Sequence, residues 1–131
     1  MKRVFALFNS PSNLSTPAWF GGRIIKFYRS KKLPYADSSM DVIMACMEYH
    51  HFADQKSFRE EARRVLKSNG RLYICDPRFP WIVRTFFNTC FKDAGFRSTK
   101  QNAADFTESG FQVERIAKDL YVQVVVLRRN Q

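Results

Sequence analysis

Alternating and continuous apolar runs divide the chain into candidate strands. Residues 3–8, 41–47 and 71–76 are apolar runs of strand length, and residues 23–29 alternate between polar and apolar positions. The run at 41–47, "DVIMACM", is typical of a parallel strand that is covered on both faces. The closing segments "FQVERIAKDL" and "YVQVVVLRR" alternate with a period of two and predict a final pair of neighbouring strands.

A helical spacing follows the strand at 41–47. Its apolar residues recur on one helical face: Phe58, Ala62, Val65 and Leu66. Asp54 is the predicted N-cap, because its side chain can accept a hydrogen bond from the first turn. Lys67 is predicted in the last turn, where a cation suits the helix dipole, and Gly70 is the predicted stop.

The segment "WIVRTFFNTCFKDAGF" predicts a second helix that ends at Gly95. Its Phe-rich part, "TFFNTCF", is expected in the core. The order strand–helix–strand–helix followed by two strands is that of an α/β sheet with crossover helices. The length of 131 residues fits a single domain over residues 1–131.

Composition argues against a membrane-spanning chain. Hydrophobic residues make up 45% of the sequence, but no run of about eighteen apolar residues occurs. The apolar part of the N-terminus, residues 4–8, is shorter than a secretory apolar region of roughly 7–15 residues. We therefore expect a cytoplasmic protein that has no membrane partner.

The formal net charge of +10 makes nucleic acid one candidate partner. Aromatic and basic residues interleave between Trp19 and Arg29, and such a surface can stack bases and contact phosphates. A strand with one buried face has the same pattern. We favour the strand, because the basic residues are spread along the whole chain.

The cysteines predict neither a disulfide framework nor a metal site. Cys46, Cys75 and Cys90 are widely spaced and form no CxxC pair. Reduced cysteines in the core are the expected state. Cys46 and His50 also suggest a thiolate–imidazole pair, but Cys46 lies in an apolar strand and no orienting third group is evident.

The central segment of the chain carries a family resemblance. Residues 33–77, "LPYADSSMDVIMACMEYHHFADQKSFREEARRVLKSNGRLYICDP", resemble class I S-adenosylmethionine-dependent methyltransferases of the type 11 kind. The shared features are a Leu-Pro-aromatic turn, an Asp before a strand, a His pair after it, a helix ending in "RVLKSNG" and a strand ending in Asp-Pro. The final strands are similar to the closing hairpin of the family, so the resemblance covers residues 33–127.

The resemblance implies S-adenosylmethionine as cofactor and methyl transfer to a small-molecule acceptor. It also implies a Rossmann-like sheet whose ligands bind beyond the carboxyl ends of the strands. Cys46, Met47 and Glu48 are then candidate cofactor-binding residues. His51 or His50 is the candidate catalytic base for a proton of the acceptor. Alternatively, one His caps the strand end or the next helix and the other is exposed.

Residues 1–32 depart from the family pattern. A family member has an acidic residue and a Gly-rich loop at its first strand, whereas Ala6 stands here in the position of the acid. Residues without the conformational freedom of glycine occupy the glycine positions: Phe8, Ser10 and Ser12. Ser10 and Ser12 remain the candidate cofactor-binding residues of this loop. A βαβ unit takes roughly thirty residues, so the expected sheet is shortened on its N-terminal side.

Three functions therefore stay open. The first is methyl transfer, and the second is a non-catalytic pseudoenzyme or partner-binding domain of the same family. In the second case an exposed sheet edge would favour a homo-oligomer. The third is a basic nucleic-acid-binding domain. The pattern does not encode the acceptor, because acceptor specificity in such folds lies in variable segments.

Overall fold

The computed structural model of the chain describes residues 3–8, 32–33, 35–92 and 94–131, and for residues 4–8 the description is of the backbone. The elements in chain order are β1 (Val4–Phe8), β2 (Met40–Cys46), a 3-10 turn (Tyr49–His51), α1 (Gln55–Val65), β3 (Leu66–Pro77), α2 (Trp81–Cys90), α3 (Thr99–Glu108), β4 (Phe111–Lys118) and β5 (Val122–Arg129).

The described strands form one five-stranded mixed sheet in the order β1-β2-β3-β5-β4. The first three strands are parallel, and β5 and β4 are antiparallel to their neighbours. The α/β class and the closing strand pair predicted from the sequence are thus confirmed. Because β1, β2 and β3 are parallel, their carboxyl ends lie along one edge of the sheet, which we call the carboxyl edge.

The core lies between the sheet and the helices α1 and α3. Both helices pack on Tyr49, whose ring centroid lies 5.8 Å from that of Phe58 and 5.2 Å from that of Phe106. The strands contribute mainly aliphatic side chains to the same buried cluster: Ile43, Ala45, Leu72, Ile74, Val125 and Leu127. This burial fixes the register of the strands, because a shift by one residue would expose the apolar set.

Helix α1 begins as predicted and ends earlier than predicted. The Asp54 carboxylate accepts a hydrogen bond from the backbone N–H of Ser57 at 2.9 Å, so the predicted N-cap is confirmed. Leu66 is already extended and pairs with Met40, so the prediction of Lys67 in the last turn and of Gly70 as the stop is wrong. An apolar Leu66 is buried equally well from a strand, and the helical spacing alone does not distinguish the two.

Gly70 has a packing role instead. A Cβ atom at this position would lie 2.9 Å from the carbonyl oxygen of Asp41 on the neighbouring strand. The strand predicted over residues 71–76 starts earlier, at Leu66. At Gly70 its backbone lies close to the backbone of β2 at Asp41, which leaves no room for a side chain.

The second predicted helix is confirmed as α2 but is shorter than predicted, and a further helix, α3, follows it. α2 ends at Cys90 rather than Gly95, and Phe96 is held by Asn88, which exchanges two hydrogen bonds with its backbone at 2.8 and 2.9 Å. α3 is a helix that the hydrophobic pattern did not predict, because it buries only Asn102 and Phe106. Its signal was the capping box formed by Ser98 and Gln101.

The expectation that "TFFNTCF" lies in the core is wrong. No residue of α2 is buried, and Phe86 is 59% exposed. Cys90 is exposed as well, so the expected core position fails for this cysteine. The strand predicted over residues 23–29 lies outside the described residues and stays a prediction. Within the described part of the chain, no helix has the length and apolarity that a membrane crossing requires.

Candidate active site at the carboxyl edge

The strands β2 and β3 end side by side. Cys46 and Cys75 are partners in the register, and the backbone N–H of Met47 donates to the carbonyl oxygen of Cys75 at 2.7 Å. Met47 then has a φ of +57°, a left-handed conformation that is uncommon for a residue with a side chain. This strained residue ends β2 and turns the chain, and such backbone strain clusters at functional sites.

The turn after Met47 is short and buried. Glu48, Tyr49 and His50 are all buried, and the backbone N–H of His51 donates to the carbonyl oxygen of Glu48 at 2.9 Å. Gln55 braces the turn from α1, because its Nε2 donates to the carbonyl oxygens of Tyr49 at 3.2 Å and Gly95 at 2.9 Å. Sequence reasoning missed Gln55, whose position in the first helical turn gave no signal.

His50 and Asp76 form a buried pair beneath this turn. His50 Nδ1 lies 3.2 Å from Asp76 Oδ1, and both side chains are almost fully buried. The His50 ring stacks on Phe96 with centroids 4.5 Å apart and an interplanar angle of 15°. The backbone N–H of Gly95 donates to the His50 carbonyl oxygen at 2.7 Å. The orientation of His50 is therefore fixed by two other segments of the chain, the end of β3 and the loop at residues 95–96.

Burial governs the electrostatics of this pair. It raises the pKa of the Asp76 carboxyl above the ordinary value of 3.8, and the hydrogen bond with His50 acts in the opposite direction. A carboxyl group is thus held at the carboxyl edge in a setting that disfavours its charge. Perturbed carboxyl groups of this kind are a physical marker of candidate functional sites.

The two histidines proposed as catalytic lie in different surroundings. His51 is half-buried, and its ring centroid lies 4.0 Å from that of His50. His50 is enclosed by Asp76 and Phe96 and has almost no access to solvent. Of the two, His51 is the one that a small molecule can reach, whereas His50 is placed to position its neighbour.

The thiols at the strand ends are not nucleophiles. Burial raises the pKa of Cys46 to about 11 and also raises the pKa of Cys75. Both are therefore thiols at neutral pH, which argues against a thiolate–imidazole pair of Cys46 and His50. Among the described residues, no group of three or more His, Cys, Asp or Glu side chains is arranged to hold a metal ion.

Of the predicted N-terminal part of the site, the structure describes β1 only. Phe8, the last residue of β1, is the register partner of Cys46, so β1 and β2 end side by side. Ser10 and Ser12, the candidate cofactor-binding residues of that loop, lie outside the described residues. Cys46, Met47 and Glu48 thus lie at the carboxyl edge, beside the last residue of β1.

Local charge at this edge differs from that of the whole chain. The net charge of the protein is +10, yet the sequence from residue 33 to residue 55 has no Lys or Arg. Two acidic residues of this stretch, Glu48 and Asp54, lie after the end of β2. The carboxyl edge is therefore better suited to a cationic ligand than to an anionic one.

Solved structures share the fold of this chain. A chain of the complex between a Haloferax volcanii methyltransferase activator and its proposed methyltransferase is 17% identical, with a TM-score of 0.73 over 98% of this chain and 73% of that chain. An S-adenosylmethionine-dependent methyltransferase of Aquifex aeolicus is 20% identical, with a TM-score of 0.62 over 81% of this chain and 54% of its own. At these identities the likeness establishes the fold.

Residues 21–74 match a family model described as a methyltransferase domain. This match supports the resemblance of the chain to class I S-adenosylmethionine-dependent methyltransferases. The matched residues contain β2, α1, Met47 and the His pair, and the resemblance seen in the sequence from residue 33 is confirmed over this range. From residue 75 onward the likeness to solved structures carries the assignment of the fold.

Curated proteins are similar to this chain over a short segment. A methyltransferase of Bacillus subtilis without a characterised activity is 37% identical over 51 residues, which is 39% of this chain and 20% of the relative. The 27-O-demethylrifamycin SV methyltransferase of Amycolatopsis mediterranei is 36% identical over 53 residues, which is 40% of this chain and 20% of that enzyme. The matched segment thus spans a fifth of each of these relatives.

Proposed function

We propose that this chain binds S-adenosylmethionine at the carboxyl edge and transfers its methyl group to a small-molecule acceptor. The observation that supports the proposal most strongly is the left-handed turn at Met47, which follows β2 beside the end of β1. Ligands of open α/β sheets bind in the crevice outside the carboxyl ends of the strands. Cys46, Met47 and Glu48 would contact the cofactor there, together with Ser10 and Ser12.

The chemistry of these side chains fits a sulfonium cofactor. Met47 supplies a polarisable thioether that is 39% exposed, and Glu48 supplies a carboxylate within a segment that has no Lys or Arg. The bound cofactor would supply an activated methyl group and leave as a neutral thioether. The residues of the chain would contribute alignment of the two reactants, which lowers the barrier without a fixed catalytic triad.

His51 is the proposed catalytic base. An acceptor that is methylated on N or O loses a proton, and an imidazole near neutral pH is suited to accept it. His51 is half-buried beside the crevice, and its ring lies against His50. His50 and Asp76 act as positioning residues in this proposal, because they hold the turn on which His51 stands.

The charge of the cofactor gives a test of the site. We expect Glu48→Gln to weaken binding of cationic S-adenosylmethionine about tenfold, and to change binding of neutral S-adenosylhomocysteine much less. Isothermal titration calorimetry measures both affinities. Glu108→Gln, an exposed acid at the end of α3, is the matched control and should leave both unchanged. Equal losses for the two ligands would contradict recognition of the cation by Glu48.

A non-catalytic family member is the second candidate, and the sequence of β1 supports it. Ala6 and Phe8 stand where the family pattern has an acidic residue and a glycine, and Phe8 is the register partner of Cys46. β1 and β4 are the outer strands of the described sheet, and an outer strand can pair with another chain. We propose a protein partner or a second copy at β1 in this case. A folded monomer that binds cofactor would argue against it.

Nucleic-acid binding stays a prediction from composition. The aromatic and basic residues that suggested it, between Trp19 and Arg29, lie outside the described residues. A steep loss of affinity for single strands between low and moderate salt is the expected signature of such binding.

A further inference from the structure

Helix α2 presents large apolar side chains to the exterior. Trp81, Ile82 and Phe86 are 68%, 64% and 59% exposed. At 3.6 residues per turn these three side chains fall within less than half of the helix circumference. The opposite side holds Phe87, whose ring contacts Phe79 and Phe96 with centroids 5.4 and 5.8 Å away. One side of α2 is thus anchored to the protein and the other is uncovered.

The hydroxyl groups on the uncovered side of α2 have hydrogen-bond acceptors within the helix itself. The hydroxyl of Thr85 donates to the carbonyl oxygen of Trp81, and the hydroxyl of Thr89 donates to that of Thr85, each at 2.8 Å. Both threonines lie between the exposed apolar residues on the helical surface. Hydroxyls bonded back to the preceding helical turn are compatible with an apolar environment. This side of the helix can therefore leave water without an unsatisfied donor.

The turn between β4 and β5, which is bonded to the segment before α2, carries two further exposed apolar side chains. Leu120 and Tyr121 are 75% and 73% exposed. Arg78, three residues before α2, fixes the turn next to the helix: its backbone N–H donates to the Tyr121 carbonyl oxygen, and its guanidinium to the Asp119 carbonyl oxygen, each at 2.7 Å. The five residues that form this surface, here called the apolar face, are Trp81, Ile82, Phe86, Leu120 and Tyr121.

Positive charge accompanies the apolar face. From residue 77 to residue 92 the sequence has three basic residues, Arg78, Arg84 and Lys92, and no acidic residue. Lys118 precedes the turn. The Asp119 carboxylate accepts hydrogen bonds from the backbone N–H groups of Tyr121 and Val122 at 2.7 and 2.8 Å. Exposed Trp and Phe residues with a basic surround are the composition of segments that lie in the interface of an anionic bilayer.

We propose that the apolar face docks on an anionic lipid surface. Aromatic and aliphatic side chains would enter the headgroup boundary, and the basic residues would contact lipid phosphates. This proposal departs from the expectation of no membrane partner, which rested on the absence of a spanning segment. The apolar face adjoins Pro77 at the end of β3, so docking would bring the carboxyl edge to the lipid surface. The proposal does not depend on methyl transfer.

Co-sedimentation with vesicles tests the proposal. The chain is mixed with vesicles of phosphatidylcholine alone and with vesicles that also contain phosphatidylglycerol, without cofactor. We expect the bound fraction to be at least about tenfold higher on the anionic vesicles and to fall as salt is added. The double variant Trp81→Ser/Phe86→Ser should lose most of this binding. Circular dichroism would verify that the variant is folded.

A matched control distinguishes binding through the apolar face from non-specific hydrophobic binding. Ile116→Ser removes an apolar side chain that is 42% exposed on β4, outside the apolar face, and should leave binding unchanged. Absence of wild-type binding to anionic vesicles would overturn the proposal. So would binding that survives the double variant, or that Ile116→Ser lowers equally. A wild-type dimer that becomes monomeric in the double variant, without vesicle binding, would assign the face to a second copy instead.

The depth of Trp81 can be measured directly. In a Trp19→Phe background, Trp81 is the one indole of the chain. Brominated phosphatidylcholine in anionic vesicles should quench its fluorescence, because bromine quenches only on close approach. Unquenched emission from vesicle-bound protein would show that Trp81 does not enter the bilayer, and would contradict the proposed orientation.

Discussion

Asp76 is a carboxyl group at the end of a parallel strand with almost no access to water. Moving a carboxylate out of water is costly, and a single hydrogen bond to a neighbouring imidazole offsets part of that cost. The chain retains this group beside Met47, whose backbone is also unfavourable. Two locally costly residues at one strand edge are typical of a site that is selected for something other than stability.

The raised pKa of Asp76 predicts a pH dependence of stability. The folded state favours the protonated carboxyl, so the stabilising contribution of Asp76 is fully present below the ordinary pKa of 3.8 and is lost as pH rises through the raised value. Asp76→Asn cannot titrate. The free energy of unfolding of the wild type, relative to that of Asp76→Asn, should therefore decrease as pH rises.

Urea unfolding of both proteins at several pH values between about 3 and 7 measures this difference. The comparison with Asp76→Asn removes the general effect of the high net charge, which both chains share. A difference that increases with pH would mean that the ion pair with His50 outweighs burial.

At the scale of elements, Arg64 joins the segment before β2 to helix α1. Its guanidinium donates to the carbonyl oxygens of Leu33 and Tyr35 at 2.9 and 2.8 Å. It also pairs with Asp37 at 2.7 Å and, through two nitrogens, with Glu61 at 2.8 Å. Glu61 in turn accepts from the backbone N–H of Leu33 at 2.8 Å. This hub fixes the approach of the chain to β2.

Replacement of Arg64 by Lys should destabilise the fold although the charge is kept. An ammonium group cannot match the planar set of donors that reaches four partners, and we expect a loss of about 1–2 kcal/mol in the free energy of unfolding. Arg63→Lys is the matched control, since Arg63 has a single long contact to the Gly110 carbonyl oxygen at 3.4 Å. Equal losses of unfolding free energy in the two variants, measured by urea unfolding, would contradict a particular contribution of the Arg64 contacts to stability.

Elements with a strong apolar period could be predicted from the sequence, and polar or exposed elements could not. β2, the start of α1 and the pair β4–β5 are specified by local pattern and by the cap at Asp54. The end of α1 depended on the pairing of Leu66 with Met40, which is a contact between distant residues. α3 was missed because it buries little apolar surface, and α2 was assigned to the core because its composition does not tell which side is covered.

In the candidate site, too, local pattern predicted some residues, whereas contacts between distant residues could not be predicted. The sequence placed Met47, Glu48 and the His pair at a strand end, because a continuous apolar run marks the strand that precedes them. It could not foresee that His50 reaches Asp76, since that pairing depends on the parallel arrangement of β2 and β3 and on Phe96 from a later loop. Buried partners across a sheet are properties of the topology rather than of local pattern.

At the scale of the whole molecule, the functional features gather on one side of the sheet. The ends of β1, β2 and β3, the buried pair of His50 and Asp76, and the apolar face all lie at or next to the carboxyl edge. The amino end of β2 follows the turn at residues 35–39, which is bonded to α1 through the Arg64 guanidinium and through backbone contacts. The sheet therefore separates a structural edge from an edge suited to ligands.

Binding of the cofactor to the unmodified chain is the most direct test of the proposed function. We would titrate the purified, folded chain with S-adenosylmethionine by isothermal titration calorimetry. Saturable heat with one site and a dissociation constant in the range of ~1–100 μM is the predicted result. No heat up to ~1 mM ligand, from a chain that is shown to be folded by circular dichroism, would contradict a cofactor site at the carboxyl edge and favour the non-catalytic alternative.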